Sequence, residues 1–186
     1  LSGKLPSKSH FKEWVAALRA ARGRTSQDRA DFVEFLAYTG MRLGESKFVL
    51  WKHCDFSKGE FLVLGDPTDG TKNGLFRRIP MIAAARELLE KMKARSKPAS
   101  VDEPVIRVKS AYAAMGRAAN KIGIAPLSHH DLRHLFATIC IESGVDIPTV
   151  SRWLGHRDGG ILAMKVYGHL RNEHSLAAAT RVSFAA

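Results

Sequence analysis

Apolar residues recur at helical spacing near the start of the chain. One stripe consists of Phe11, Trp14, Val15 and Leu18. A second consists of Phe32, Phe35 and Leu36. Spacings of three and four residues are typical of one face of an amphipathic helix, so two helices are predicted here. Ser26 is expected to cap the second helix and Gly40 to end it.

The pattern then changes to short runs of β-type residues. Residues 50–56 and 60–65 predict two strands around the turn Ser57-Lys58-Gly59, and residues 75–81 predict a third. A turn is expected between the last two, where Asn73-Gly74 can supply positive φ angles. These runs predict a small antiparallel sheet.

Helical patterns resume after the sheet and continue to the end of the chain. Their predicted positions are 82–95, 110–122, the segment from Ser128 to Gly144, the segment from Pro148 to Leu154-Gly155, and 173–183. The helix at 110–122 is expected to present Tyr112, Met115, Ala119 and Ile122 as its apolar stripe. The whole pattern predicts an α+β fold, mainly α-helical, with a small three-stranded antiparallel sheet in a single domain, 1–186.

The composition indicates a basic protein and argues against a membrane-spanning one. Lys plus Arg number 29 against 18 acidic residues, a net charge of +11 spread along the chain, which favours a polyanionic partner over the simpler reading of a merely basic protein. No apolar run is long enough to span a bilayer. Cys54 and Cys140 have no pairing pattern, so a reduced, cytoplasmic protein is expected.

Six polar residues have the chemistry of phosphodiester cleavage. They are Arg42, Lys72, His130, Arg133, His156 and Tyr167. Arginine binds phosphate through its planar fork, lysine adds positive charge, and histidine transfers protons near neutral pH. Tyrosine can act as a nucleophile only beside cations and a proton acceptor, because its free pKa is about 10.

Several of the six also have simpler interpretations. Arg42 can pair with Glu45 at i+3, and Glu45 can then orient it. Lys72 lies in a predicted turn, where it follows a threonine and precedes a strand. A Walker A loop has the lysine before the Ser or Thr, so this segment does not fit one. Tyr167, with Met164 and Val166 nearby, can be a packing residue.

A metal site is a further alternative for the histidines. His130 and His134 stand at i and i+4, as the two histidines of a zinc helix do. The glutamate that a metalloprotease helix requires is missing, and Arg133 between them would oppose a cation. This reading is therefore disfavoured.

Taken in order, the motifs resemble the catalytic domain of the tyrosine recombinases, the phage-integrase family. The matching pieces are T-G-M-R-L-G-E, T-K-N-G followed by R-R-I-P, H-H-D-L-R-H-L-F-A-T, W-L-G-H and Y-G-H-L. They extend from residue 39 to residue 170, which is most of the chain. Five motifs in the right order are far more specific than any one of them.

The resemblance implies a site-specific recombinase or integrase. Tyr167 would attack a DNA phosphodiester to leave a 3′-phosphotyrosine and a free 5′-hydroxyl, and a partner strand would reverse the step. Neither ATP nor a metal ion is implied, so no cofactor is expected. The rivals are a type IB topoisomerase, which shares the tyrosine chemistry, and a relative that binds DNA without catalysis.

The resemblance also implies a role for each remaining residue. Arg42 and Arg133 would stabilise charge on the nonbridging oxygens of the transition state. Lys72 would be the general acid for the leaving 5′-oxygen, and His130 would assist proton transfer from the tyrosine. His156 would hydrogen-bond the phosphate.

The implied partner is a double-stranded DNA recombination site. The family assembles as tetramers on paired sites, so a homo-tetramer is expected on DNA and a monomer or weak oligomer without it. Residues 173–184 are suited to packing on a neighbouring protomer or back on their own domain. By the resemblance, the chain is expected to be the catalytic domain of a bacterial or phage-encoded member, without the family's N-terminal DNA-binding domain. The stretch between His156 and Tyr167 is slightly longer than in many members.

Overall fold

The computed structural model describes residues 5–66, 76–156 and 160–168. It divides into two compact units, residues 1–136 and residues 137–186. Each unit is considered separately below. None of the described helices is long and apolar enough to cross a bilayer.

Helices are the main regular elements among the described residues of both units. Those of the first unit are α1 (Lys8–Arg19), α2 (Ser26–Thr39), α3 (Leu43–Ser46), α4 (Ala83–Ser96) and α5 (Tyr112–Ile122). Helix α6 (His129–Glu142) begins in the first unit and ends in the second. The second unit also contains α7 (Ile147–Leu154) and α8 (Ile161–Tyr167). The helix predicted at 173–183 lies outside the described residues.

The two N-terminal helices form as their apolar stripes predict. All four apolar residues of the α1 stripe and all three of the α2 stripe are buried. Gly40 ends α2 in the left-handed conformation with φ 64°, as expected for a C-terminal stop. The cap prediction was wrong by one residue: Thr25 is the N-cap, and Ser26 is the first helical residue, whose hydroxyl donates to the Gly23 carbonyl at 3.0 Å.

The three-stranded antiparallel sheet is confirmed. Its strands are β1 (Cys54–Asp55), β2 (Glu60–Val63) and β3 (Arg77–Pro80), in the order β1-β2-β3, with Phe61 opposite Ile79. The Phe61 ring meets Phe35 edge-on at a centroid distance of 5.9 Å, which packs the sheet against α2. The turn at Asn73-Gly74 lies outside the described residues.

The first predicted strand is shorter than the sequence suggests. Trp51–His53 form a 3₁₀ turn instead of a strand. Their backbone groups bond to another segment: the Trp51 amide donates to the Glu103 carbonyl at 3.1 Å and the Lys52 amide to the Val101 carbonyl at 2.8 Å. These tertiary bonds replace the ladder that β-type side chains alone predict.

The later helices begin and end close to the predicted positions. Ser128 and Asp131 form a reciprocal cap on α6: the Ser128 amide donates to the Asp131 carboxylate at 2.7 Å and the Asp131 amide to the Ser128 hydroxyl at 3.2 Å. Pro148 stands in the first turn of α7. One expectation was wrong: Tyr112 at the start of α5 is 63% exposed, because only one side of this helix, including Met115, faces the core.

Candidate active site

Arg42 lies at the N-terminal end of α3 and is held by Glu45. The Glu45 carboxylate accepts the Arg42 backbone amide at 2.9 Å and the Arg42 Nη1 at 2.9 Å. The i+3 pairing expected from the sequence is therefore confirmed. Because both backbone and side chain are held, the guanidinium has a fixed direction while remaining partly open to solvent.

A second arginine, Arg77 of β3, binds the same carboxylate. Its Nη1 donates to Oε1 of Glu45 at 2.9 Å and its Nη2 to Oε2 at 2.6 Å, a bidentate pair between side chains that are 10% and 5% exposed. Sequence reasoning missed this residue. The available signal was strand alternation, since Arg77 stands two positions before the buried Ile79 and so shares its face.

Glu45 is ionised in this setting. Burial by itself raises the pKa of the carboxyl, but the hydrogen bonds and positive charges of Arg77 and Arg42 outweigh it and lower the pKa to about 2. Two guanidinium groups and one carboxylate therefore share a net charge of +1.

Arg133 reaches the same turn of the chain from α6. Its side chain is buried, and its Nη1 donates to the Gly40 carbonyl at 2.6 Å. Gly40 is two residues before Arg42, so both arginines expected to bind phosphate are tied to one turn, residues 40–42. This gives a local concentration of positive charge suited to an anion.

His130 lies on the exposed side of α6, one turn before Arg133. Its ring meets that of His134 edge-on at a centroid distance of 4.5 Å. Burial, and then the charge of His130, lower the pKa of His134. Among the residues that the structure describes, no group of three or more His, Cys, Asp or Glu side chains is placed so that it could hold a metal ion.

The neighbouring His129 has a structural role. Its Nε2 accepts the backbone amide of Ala111 at 3.4 Å, just before α5. Burial, and then the nearby charge of Lys47, lower the pKa of His129, which favours the neutral ring that this acceptor role requires. The adjacent histidines of H-H-D therefore face different surroundings.

His156 and Tyr167 belong to the second unit. His156 follows Gly155, which ends α7 with φ 69°, and its backbone amide donates to the Ser151 carbonyl at 3.0 Å. Tyr167 is the last residue of α8 and is 6% exposed.

Helices α7 and α8 pack on each other at Gly160. This residue has φ 102°, and a Cβ there would lie 3.6 Å from the backbone of Pro148. That separation is ordinary van der Waals contact, so it is the positive φ that favours glycine at this position between His156 and Tyr167.

In the first unit, Arg42 and Arg133 thus both belong to or contact the turn at residues 40–42, with Glu45 and Arg77 supporting Arg42. His130 lies one turn before Arg133 on α6. His156 and Tyr167 lie on neighbouring elements of the second unit. Lys72 lies outside the described residues.

Comparisons with known proteins place this fold in one class. It is similar to the catalytic domain of bacteriophage HP1 integrase, with a TM-score of 0.69 at 19% identity over 96% of this chain and 94% of that one. It is also similar to XerH site-specific recombinase bound to its palindromic difH substrate in a post-cleavage complex, with a TM-score of 0.68 at 18% identity over 96% of this chain and 53% of that one. The fold is that of a tyrosine recombinase catalytic domain.

Sequence comparison defines the family. The model of the phage integrase family matches residues 10–174, and the chain belongs to that family. It is 31% identical over 147 residues to tyrosine recombinase XerA of Saccharolobus solfataricus, covering 76% of this chain and 47% of that protein. It is 28% identical over 174 residues to tyrosine recombinase XerC of Lactobacillus delbrueckii subsp. bulgaricus, covering 86% and 56%. The chain spans about half the length of these relatives.

Proposed function

We propose that this protein is a site-specific DNA recombinase that cleaves and rejoins DNA through a 3′-phosphotyrosine, without ATP or a metal ion. The observation that carries the proposal is the pair of arginines, Arg42 and Arg133, fixed around residues 40–42 in a member of this family. Such a pair can stabilise the two nonbridging oxygens of a phosphodiester as charge develops on them. The net charge of +11 supports DNA as the partner.

In the proposed reaction the Tyr167 oxygen attacks phosphorus and the bond to the 5′-oxygen breaks. The phenol proton passes to an acceptor, with the assistance of His130, and Lys72 supplies a proton to the departing 5′-oxygen. His156 hydrogen-bonds the phosphate. The energy of the broken bond is retained in the phosphotyrosine, so a 5′-hydroxyl from a partner strand can reverse the step.

The proposed partner is a double-stranded recombination site. We expect four protomers to assemble on paired sites, as resemblance to the family implies, and a monomer or weak oligomer without DNA. The XerH complex with its difH substrate supports a DNA partner for this fold. Residues 1–186 are proposed to act as one catalytic domain.

The test begins by finding the site. Genomic DNA from the source organism is sheared and incubated with the protein, and covalently attached ends are isolated and sequenced. A duplex nicked close to the mapped site then traps the intermediate. The fragment that carries the free 5′-hydroxyl is short and diffuses away, so it cannot reverse the cleavage. The expected result is a covalent adduct in the presence of EDTA, with Tyr167 identified by peptide mapping.

The matched variants are Tyr167→Phe and Tyr112→Phe, since Tyr112 is an exposed tyrosine of the first unit. Loss of the adduct in the first alone supports the nucleophile. An adduct that persists in Tyr167→Phe would show that the wrong tyrosine is named, and loss of the wild-type adduct in EDTA would exclude the metal-free mechanism. Relaxation of supercoiled DNA without any preferred site would favour the topoisomerase alternative.

A further inference from the structure

We infer that Arg77 is a positioning residue for the catalytic Arg42, acting through Glu45. This rests on the proposed function, because it assigns a role within the same reaction. Arg77 is the third member of a chain of contacts: its fork holds both oxygens of Glu45, and Glu45 holds the backbone and side chain of Arg42.

Burial orders these three groups from inside to outside. Glu45 is 5% exposed, Arg77 10% and Arg42 28%. Arg77 is thus shielded from solvent on the inner side, whereas Arg42 presents the accessible charge. An incoming phosphate would meet Arg42 before it could meet Arg77.

The charge balance gives Arg77 a second effect beyond orientation. With Arg77 present, one carboxylate is shared between two cations, and the side chains of Arg42, Glu45 and Arg77 together carry a charge of +1. Without Arg77, the carboxylate would neutralise Arg42 alone, and the pair would carry no net charge to offer a phosphate. Arg77 therefore fixes Glu45 in place and also leaves the charge of Arg42 available.

The neighbouring Arg78 provides a matched control. It lies on the same strand but on the opposite face, and its Nη1 bonds to Glu60 at 2.6 Å with side-chain exposures of 51% and 25%. An exposed pair of this kind contributes little. Arg77 and Arg78 are thus adjacent and each bonds to a glutamate, but only Arg77 is largely buried and only its glutamate also contacts Arg42.

The experiment measures the rate constant of single-turnover cleavage on the nicked duplex. Substrates carry either an ordinary phosphate or a methylphosphonate at the cleaved position. The methylphosphonate has lost its negative charge and therefore needs less cationic stabilisation. We expect Arg77→Gln to slow cleavage of the phosphate by about ten- to a hundredfold, as small displacements of a catalytic group do, and to slow cleavage of the methylphosphonate much less. Arg78→Gln should remain close to the wild-type rate on both.

The double variant Glu45→Gln/Arg77→Gln separates charge from simple loss of structure. Removing the carboxylate restores the charge of Arg42, so the double variant should cleave the phosphate faster than Arg77→Gln alone. A role limited to folding predicts the opposite, because a second contact is lost. Arg77→Lys keeps a positive charge beside Glu45 without the fork and should give an intermediate rate; it replaces Arg77→Gln if that variant does not fold.

Three results would overturn the inference: an unchanged rate in Arg77→Gln, an equal slowing on both substrates, or a double variant slower than the single one. A further substrate carries sulfur in place of the 5′-bridging oxygen, and this leaving group needs no proton. If Arg77→Gln cleaved that substrate at the wild-type rate, its defect would lie in protonation of the leaving group, and the inference would be overturned. Absence of any Tyr167 adduct in the wild-type protein would instead reject the proposed function itself.

Discussion

Arg133 of α6 donates a 2.6 Å hydrogen bond to the carbonyl oxygen of Gly40, 93 residues earlier in the chain. Gly40 is the left-handed residue that ends α2, and Arg42, two residues later, is the N-cap of α3. The bond therefore links the helix that carries His130 and Arg133 to the turn that presents Arg42. A guanidinium carries five N–H donors, so Arg133 can bond to more than one acceptor.

Replacement of Arg133 by lysine should remove this arrangement while keeping the charge. A single ammonium cannot reproduce a planar fork that bonds to Gly40 and a phosphate in fixed directions. We expect the single-turnover cleavage rate to fall by about a hundredfold or more, as when a transition-state donor is lost. Arg117→Lys, on the exposed side of α5, is the control and should cleave normally. A rate for Arg133→Lys within a few-fold of wild type would show that the fork is not used.

The local relationships of the site could be predicted from sequence, whereas the long-range ones could not. Glu45 stands three residues after Arg42, so helix geometry alone suggests their contact. The Arg77 contact to Glu45 crosses 32 residues and depends on the register of β3, which no single-sequence pattern fixes. His129 and His130 are adjacent and chemically identical, and only tertiary packing distinguishes the half-buried ring of His129, which accepts a backbone hydrogen bond, from the exposed candidate His130.

The low pKa of Glu45 predicts a specific dependence of stability on pH. Its folded pKa of about 2 lies below its ordinary value of 4.5, so its contribution is present above pH 4.5 and is lost as the pH falls toward 2. The difference corresponds to roughly 3 kcal/mol at most. Glu45→Gln should therefore be less stable than wild type at pH 7, and the gap in the free energy of unfolding should narrow between pH 5 and pH 3.

Urea unfolding at each pH measures that gap. The matched control is Glu87→Gln, whose carboxylate is exposed and pairs with Lys91 at the surface. The free energy of unfolding of this variant should differ little from that of the wild type at every pH. A Glu45→Gln gap that stays constant down to pH 3 would mean that this carboxylate is not held in its charged form by Arg77 and Arg42.

A second buried carboxylate, Asp31 of α2, ties together three helices. It accepts Nη1 of Arg19 from α1 at 2.8 Å and also binds Arg95 of α4, while only 2% of its side chain is exposed. Asp31→Ala removes one acceptor and leaves two partly exposed cations side by side. We expect a loss of about 1–3 kcal/mol in the free energy of unfolding, against almost none for Glu87→Ala. Equal effects of the two variants would contradict a structural role for this network.

The three tyrosines should differ in their reaction with tetranitromethane, which modifies the phenolate form. Tyr112 is 63% exposed and should be nitrated first. Tyr38 is half-buried, and burial followed by the charge of Glu34 raises its pKa, so little phenolate is present. Tyr167 is 6% exposed and should also react slowly in the DNA-free protein. Peptide mapping at pH 8 gives the order, and urea-unfolded protein should react at all three. Nitration of Tyr167 as fast as that of Tyr112 would contradict the burial of its phenol in the DNA-free protein.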